Sequence, residues 1–200
     1  MASEVEASYS RRADEYAKHF GSIATVHPSD VQLVTTWADQ IDGSLLDAGC
    51  GPGHWTNYLS ERGVDVHGVD QVEGFIDHAR EAYPGVPFEV GTIDELTNAT
   101  RSIGGIFAWY SLIHHSRETI QLALSEFARV LRPKGGLLVG FFVGPTVEPF
   151  DHAIVTGYRW SPEALADELR KAGFEIIETH TRTGFHPRPR PHGAIVAGRP

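Results

Sequence analysis

Apolar and polar positions follow two alternating periods along most of the chain. Short, nearly continuous runs of branched and aromatic residues, as over 103–110 and 137–143, predict strands that are buried on both faces. Amphipathic stretches separate these runs, and glycine or proline residues end them. Because strands and helices alternate from residue 44 onward, the pattern predicts right-handed crossovers and a parallel sheet of the α/β class.

The predicted strands cover 44–48, 64–69, 86–90, 103–110, 137–143, 174–181 and 194–197, and the predicted helices cover 29–40, 55–62, 73–82, 117–131 and 161–172. Pro28 opens the first of these helices with Ser29 or Asp30 as its cap, and Ser161 caps the last. Apolar residues also recur at helical spacing over 4–20 and predict an earlier helix or flap. These residues are Val5, Tyr9, Ala13, Tyr16 and Phe20.

No repeat or composition boundary divides the 200 residues. We therefore expect a single domain over 1–200, with N-terminal helices or a flap in 1–43 and the α/β core in 44–200.

The turn after the first predicted strand is the strongest candidate for a ligand-binding segment. The stretch 45–53 reads Leu-Leu-Asp-Ala-Gly-Cys-Gly-Pro-Gly, so three glycines stand at alternate positions. Such a bare turn lets a ligand approach the backbone, and the following helix points its free N–H groups at it. Asp70 ends the next strand, where its carboxylate is placed to accept two hydrogen bonds from a ribose diol.

This stretch, together with Val-His-Gly-Val-Asp at 66–70, resembles the cofactor site of the S-adenosylmethionine-dependent methyltransferases with the Rossmann-like fold. The resemblance covers 40–143 well and 162–177 moderately. It implies a three-layer fold with helices on both faces of a seven-stranded, mostly parallel sheet, whose last strand runs antiparallel between strands five and six. It also implies S-adenosylmethionine as cofactor, S-adenosylhomocysteine as product and methyl transfer to a small molecule by in-line displacement.

The resemblance assigns parts of the cofactor to particular positions. Asp47 and the backbone of 49–51 receive the methionine ammonium group, Asp70 holds the ribose, and Phe75 packs on the adenine. For Asp47 the alternative is a structural acid that bonds the turn's own amides, and for Phe75 it is core packing. The full set of expected cofactor residues is Tyr9, Asp47, Gly49, Cys50, Gly51, Gly53, Trp55, Asp70, Gln71, Phe75, Thr92, Ile93, Tyr110 and Ser111.

Residues 91–94 depart from the family pattern. They read Gly-Thr-Ile-Asp where relatives commonly have Gly-Asp-Ala, so Thr92 stands where a carboxylate receives the exocyclic amine of adenine and Ile93 supplies the amide. A hydroxyl is a weaker acceptor than a carboxylate, and we expect the adenine contact to be weakened or shared with Asp94.

The catalytic and acceptor positions follow strands four and five. His114, His115 and His152 are candidate bases, although a His pair at a strand end is also a common structural feature. Tyr110 and Ser111 end strand four, at the edge where open α/β sheets bind ligands. The expected acceptor contacts are Tyr110, Tyr158, Arg159 and Trp160, whose rings favour an apolar or ring-bearing acceptor.

Charge and composition limit the kinds of partner that we expect this protein to bind. A formal charge of −9 without a basic run argues against a nucleic-acid surface, and one cysteine fits a reducing, cytoplasmic compartment. The longest apolar run, 137–143, is too short to span a membrane. His180, His186 and His192 match no zinc spacing, so we expect no metal site.

Two other functions compete with methyl transfer. An NAD-dependent oxidoreductase would share the glycines and the diol-binding acid, but its fingerprint spaces the glycines as G-x-G-x-x-G, whereas here they stand at 49, 51 and 53. A cofactor-binding protein without methyl transfer would fit Thr92 and the lack of an obvious base.

Overall fold

The structure, a computed structural model, describes Ala7, Tyr9 and residues 22–152, 155–183 and 191–200. In these residues the helices are α1 (Pro28–Ala38), α2 (His54–Glu61), α3 (Glu73–Ala82), α4 (Ile120–Val130) and α5 (Pro162–Lys171). The strands are β1 (Leu45–Ala48), β2 (Val66–Asp70), β3 (Phe88–Val90), β4 (Ile103–Trp109), β5 (Leu131–Phe142), β6 (Glu148–Phe150), β7 (Gly157–Arg159), β8 (Glu175–Arg182) and β9 (His192–Gly198). Two short 3₁₀ helices cover Ile23–Thr25 and Ser111–His114.

Seven strands form the main sheet in the order β3-β2-β1-β4-β5-β9-β8. Strands β1 to β5 pair in parallel, and β9 runs antiparallel between β5 and β8. The predicted fold class and the place of the last strand are therefore confirmed. Because parallel strands end at the same edge, the residues that follow β1, β2 and β4 lie close together there.

Helices cover both faces of this sheet because successive strand side chains point to opposite faces. Leu46 and Ile106 pack in one core cluster with α4 and α5. Their strand neighbours Leu45 and Phe107 pack in a second cluster with α1 and α2. Apart from Asp47, β1 and β4 contain only apolar residues and glycine because neither face meets solvent.

Helix α1 begins differently from the prediction. His27, rather than Ser29 or Asp30, is its N-cap, and the imidazole Nδ1 accepts the amide hydrogen of Ser29. The physical reason is Pro28, which occupies the first helical position and keeps the residue before it extended. Ser161 caps α5 as predicted, since its hydroxyl accepts the amide hydrogen of Ala164.

Strand β5 begins six positions earlier than the apolar run suggests. Leu131 pairs with Ile103, the chain bulges, and regular pairing resumes at Gly136. Lys134 has a φ of 63° within this bulge. The helix ends at Val130, before the Pro-Lys-Gly-Gly segment that predicts its end, and the sequence pattern does not indicate that Leu131 already belongs to the sheet.

A small hairpin of β6 and β7 was missed by the sequence analysis, which treated the segment after β5 as a loop. Each of its strands has three residues and one contains Pro149, too little for a period of two to be visible. Ala7 and Tyr9 are helical, and Val5, Ala13, Tyr16 and Phe20 lie outside the described residues, so the helix or flap over 4–20 stays a prediction. The described helices include none with the length and apolar character needed to cross a membrane.

Candidate functional site

The glycine turn after β1 is open on one side. Gly49, Gly51 and Gly53 all have positive φ angles, of 78°, 54° and 84°. A Cβ added to Gly49 would lie 2.3 Å from the Cβ of Ser111, and one on Gly53 would lie 2.7 Å from the Phe88 ring. A Cβ on Gly51 would meet no atom within 4 Å. Gly51 therefore presents bare backbone to open space, as a closely bound ligand requires.

Asp70 ties this turn to the end of β2. Its Oδ2 accepts the amide hydrogen of Gly51, and its Oδ1 accepts that of Val72, both at 2.9 Å. Burial raises the pKa of the Asp70 carboxyl, and the backbone N–H groups oppose that rise. Each carboxylate oxygen can accept a further hydrogen bond, so the geometry leaves room for a ligand diol.

Asp47 is a buried acid beside the turn, with only 2% of its surface exposed. Its Oδ2 accepts a hydrogen bond of 2.7 Å from the Thr56 hydroxyl on α2. Burial raises the pKa of Asp47 to about 7, the Thr56 bond opposes this, and the charge of Asp70 adds to it. A ligand cation close to Asp47 would restore its charged form.

Two polar atoms next to the turn are buried and have no hydrogen-bond partner among the described residues. They are Oγ of Ser111, which lies against Gly49, and Nδ1 of His54, the first residue of α2. Burial lowers the pKa of His54 to about 4, so its ring is neutral near pH 7. Because buried polar atoms are normally paired, both fit a polar ligand in the turn. The sequence analysis missed His54, whose signal is its place directly after the glycines.

The segment after β3 binds its own backbone. Oγ1 of Thr92 accepts the amide hydrogen of Asp94 at 3.2 Å, and Oδ1 of Asp94 lies 3.4 Å from Nε2 of His115. Burial raises the pKa of Asp94 and lowers that of His115, while their mutual attraction opposes both shifts. The Thr92 hydroxyl oxygen is thus already engaged, and Ile93 packs against the main core.

Tyr9 and His114 close one side of the crevice. The Tyr9 hydroxyl lies 3.0 Å from Nε2 of His114, whose Nδ1 lies 2.9 Å from the carbonyl oxygen of Thr156. A carbonyl only accepts, so Nδ1 carries the hydrogen and Nε2 accepts from Tyr9. The Tyr9 ring also packs edge-on against Phe75 at 5.7 Å, and the His152 ring lies 5.5 Å from that of His114.

Tyr110 follows β4 in a strained conformation. Its φ of 59° is in the left-handed region, which costs a non-glycine residue about 1–3 kcal/mol. Its hydroxyl lies 2.6 Å from Nδ1 of His192, and its ring lies 4.9 Å from that of Phe142. Burial raises the pKa of Tyr110, so the hydroxyl keeps its proton, and it donates to Nδ1 in the His192 tautomer that carries its hydrogen on Nε2.

The structure places both predicted tryptophans in the core, and their ligand contacts stay predictions. Trp55 is 3% exposed and its ring packs 5.4 Å from Phe107. Trp160 is 1% exposed and belongs to the main core cluster. Large rings are the most effective core fillers, and the sequence pattern cannot distinguish this use from ligand contact.

The remaining residues predicted to contact the cofactor or the acceptor differ in burial and in the groups that they contact. Cys50 is buried, and burial raises the pKa of its thiol, so it is unreactive. Gln71 is half-buried beside Asp70. Arg159 lies 4.5 Å over the Phe150 ring and 3.6 Å from Glu148, and Tyr158 packs against the main core.

Metal-ligating side chains do not cluster in the part of the chain that the structure describes: no group of three or more His, Cys, Asp or Glu could hold an ion there. His186 lies outside that part.

Known proteins resemble this chain over the same region. A family model described as a methyltransferase domain matches residues 45–135, from the start of β1 into the first part of β5. An uncharacterized methyltransferase of Oceanobacillus iheyensis is 25% identical over 148 residues, which are 74% of this chain and 70% of that protein. The ubiquinone biosynthesis O-methyltransferase of Azorhizobium caulinodans is 31% identical over 153 residues. The match covers 67% of this chain and only 59% of the length of that relative.

A solved structure has the same fold. The 1,6-didemethyltoxoflavin-N1-methyltransferase of Burkholderia thailandensis, with bound 1,6-didemethyltoxoflavin and S-adenosylhomocysteine, superposes with a TM-score of 0.74 at 22% identity. The match covers 100% of this chain and 91% of that one.

Proposed function

We propose that this chain, which belongs to the S-adenosylmethionine-dependent methyltransferases with a Rossmann-like fold, binds its cofactor at the glycine turn and methylates a small molecule. The observation that carries the proposal is the bare, open side of Gly51, whose amide bonds Asp70, in a turn that also has the buried carboxyl of Asp47 beside it. An amino-acid ammonium group and a ribose diol are the ligand groups that such acids bind.

The residues present fit the cofactor. Asp70 would hold the ribose hydroxyls with Gln71 beside it, and Asp47 would hold the methionine ammonium group. The unpaired Ser111 hydroxyl, buried against Gly49, is placed to bond the amino-acid end. Phe75 and the segment 92–94 would contact the adenine. Since the Thr92 oxygen already accepts from Asp94, we assign the exocyclic amine to the Asp94 carboxylate as well.

When bound, S-adenosylmethionine supplies an activated methyl carbon that the acceptor's lone pair attacks in line with the sulfonium. The chain's main task is then to align the acceptor and exclude water. Tyr9 and His114 support that task, because their hydrogen bond joins Tyr9 to the 3₁₀ helix after β4. Both nitrogens of His114 are engaged, which favours a positioning role over that of a base.

The acceptor we propose is a ring-bearing small molecule. The support is the group of rings beyond Tyr110, in which Phe142 lies 4.9 Å from Tyr110 and 5.5 Å from Phe150. Arg159 covers the Phe150 ring from the β6–β7 hairpin. The net charge of −9 is further support for a small molecule over a nucleic acid. The single, free Cys50 supports action in a reducing compartment such as the cytoplasm.

Calorimetry with S-adenosylhomocysteine, S-adenosylmethionine and NAD tests this function. The account predicts one binding site for each sulfur ligand and none for NAD. Binding of NAD alone would identify an oxidoreductase. Binding of the sulfur ligands without S-adenosylhomocysteine formation from any member of a hydroxyl, amine and thiol panel would favour a cofactor-binding protein that transfers no methyl group.

A further inference from the structure

The hydrogen bond between Tyr110 and His192 joins two elements that are distant in sequence. Tyr110 follows β4, and His192 begins β9, the antiparallel strand. Both lie at the edge of the sheet where the glycine turn ends β1, since β9 starts where β5 finishes and Phe142 pairs with His192. The residue after Tyr110 is Ser111, which touches Gly49. Tyr110 therefore directly precedes a residue that touches the glycine turn, and His192 lies at the same edge of the sheet.

Charged groups face this pair from two further elements. Asp30 of α1 and Arg182 of β8 are ion-paired at 2.5 Å, and both are partly buried. Arg182 stands directly opposite His192 in the sheet register. The charges of both act on Tyr110, Asp30 opposing ionisation of its hydroxyl and Arg182 favouring it. The ion pair therefore brings two opposite charges near the Tyr110 hydroxyl, and their effects on its ionisation oppose each other.

We propose that Tyr110 and His192 remove the proton of the acceptor, which makes the acceptor a hydroxyl or ring N–H compound. This inference rests on the proposed function and identifies its acceptor class. The left-handed conformation of Tyr110 is the kind of local strain that functional sites retain, and here it accompanies the short bond to His192. The Phe142 ring packs against the Tyr110 ring, and the Phe150 ring packs against Phe142.

The proton passes along two bonds. The acceptor's O–H or N–H bond breaks as its proton moves to the Tyr110 oxygen, and the acceptor keeps the electron pair for its attack on the methyl carbon. The Tyr110 proton moves to Nδ1 of His192 at the same time, so Tyr110 stays neutral and His192 becomes an imidazolium. Solvent then takes that proton. Tyr110 is the catalytic contact, and His192 acts through it.

The three histidines predicted as bases are less suited to this step. His114 has a partner at each nitrogen, and His115 is engaged with Asp94. His152 packs with Tyr9 and His114 on the side of the N-terminal helix. The sequence analysis considered His192 only as a metal ligand, because its contact with Tyr110 spans 82 residues of sequence.

Ionisation of 4-nitrophenol by the full-length protein saturated with S-adenosylhomocysteine tests the proposal, because the phenolate absorbs visible light and the phenol does not. At a pH one unit below the dye's own pKa, about a tenth of the free dye is ionised. We expect more than half of the bound dye to be ionised, and 4-nitroanisole, which has no acidic proton, to bind without this change.

Variants separate proton transfer from packing. Tyr110→Phe and His192→Asn are both expected to return the bound dye to its free ionisation, although Asn keeps an acceptor near the position of Nδ1. Tyr58→Phe is the matched control, since it removes a hydroxyl that bonds Thr35 away from the site. It should leave the dye's ionisation unchanged.

Three results would overturn the inference. The first is that the dye does not bind the saturated protein, and the second is that the bound dye stays ionised in Tyr110→Phe. The third is that the bound dye stays fully ionised in His192→Asn, which would show that His192 only positions the tyrosine. Calorimetry on the same samples keeps the failures apart. If S-adenosylhomocysteine still binds, only the proton-transfer assignment fails, whereas loss of that binding in the native protein would refute the proposed function itself.

Discussion

The Gly51 amide donates to Oδ2 of Asp70 over 2.9 Å, so the acid that ends β2 also holds the turn that ends β1. Asp70→Ala should weaken S-adenosylhomocysteine binding by about 2 kcal/mol, roughly thirtyfold, because a charged acceptor of the ribose hydroxyls is lost. Calorimetry measures the change. Asp77→Ala, which removes an exposed acid of α3, is the control. Equal affinities in the two variants would remove Asp70 from the site.

Gly51 and Gly63 form a matched pair for the close approach of the ligand. Both have positive φ angles, and a Cβ on either would meet no atom within 4 Å. Gly51→Val and Gly63→Val should therefore lower the free energy of unfolding similarly, by about 1–3 kcal/mol. Only Gly51→Val should abolish S-adenosylhomocysteine binding, since its side chain would enter the crevice. Retained binding would disprove the close approach.

Cofactor affinity should depend on pH through Asp47. Burial raises its pKa to about 7, so below that pH a bound ammonium group must displace a proton. Affinity should therefore increase as pH rises toward 7, by up to tenfold per unit, and level off above it. Calorimetry in buffers of different ionisation enthalpy should record proton release at pH 6. An unchanged affinity between pH 5.5 and 7 would contradict this role.

The stability of the unliganded protein should change in the opposite direction. A carboxyl whose folded pKa is raised binds its proton more tightly in the folded state, so its contribution is lost as pH rises from its unfolded pKa through about 7. Asp47→Asn should remove this decline. Urea unfolding of both proteins at pH 5 and pH 8 measures it, and equal slopes with pH would show that Asp47 is ionised throughout.

Trp55 should matter for stability, since it is buried against Phe107 and Trp109. Trp55→Ala should cost about 3–5 kcal/mol of unfolding free energy. Trp55→Phe should keep native S-adenosylhomocysteine affinity. A stable Trp55→Phe protein that no longer binds this ligand would show that Trp55 contacts the cofactor.

Local sequence signals were sufficient for the main sheet. The apolar runs located all seven of its strands, most directly β1 and β4, which are buried on both faces, while the cofactor contacts of the glycine turn and Asp70 stay predictions from residue types. The β6–β7 hairpin escaped because strands of three residues carry no period. His192, Arg182 and Asp30 escaped because only the folded sheet brings them to Tyr110. Trp160 lies in the core, and its acceptor contact stays a prediction because aromatic side chains are used in both cores and pockets.

A crystal structure of the complex with S-adenosylhomocysteine is the decisive measurement for cofactor binding at the glycine turn. We expect ribose hydroxyls at hydrogen-bond distance from Asp70, the amino group beside Asp47, and the sulfur between the open side of Gly51 and the Tyr110 hydroxyl. A crevice filled by the protein's own side chains, or a ligand bound elsewhere on the chain, would contradict it.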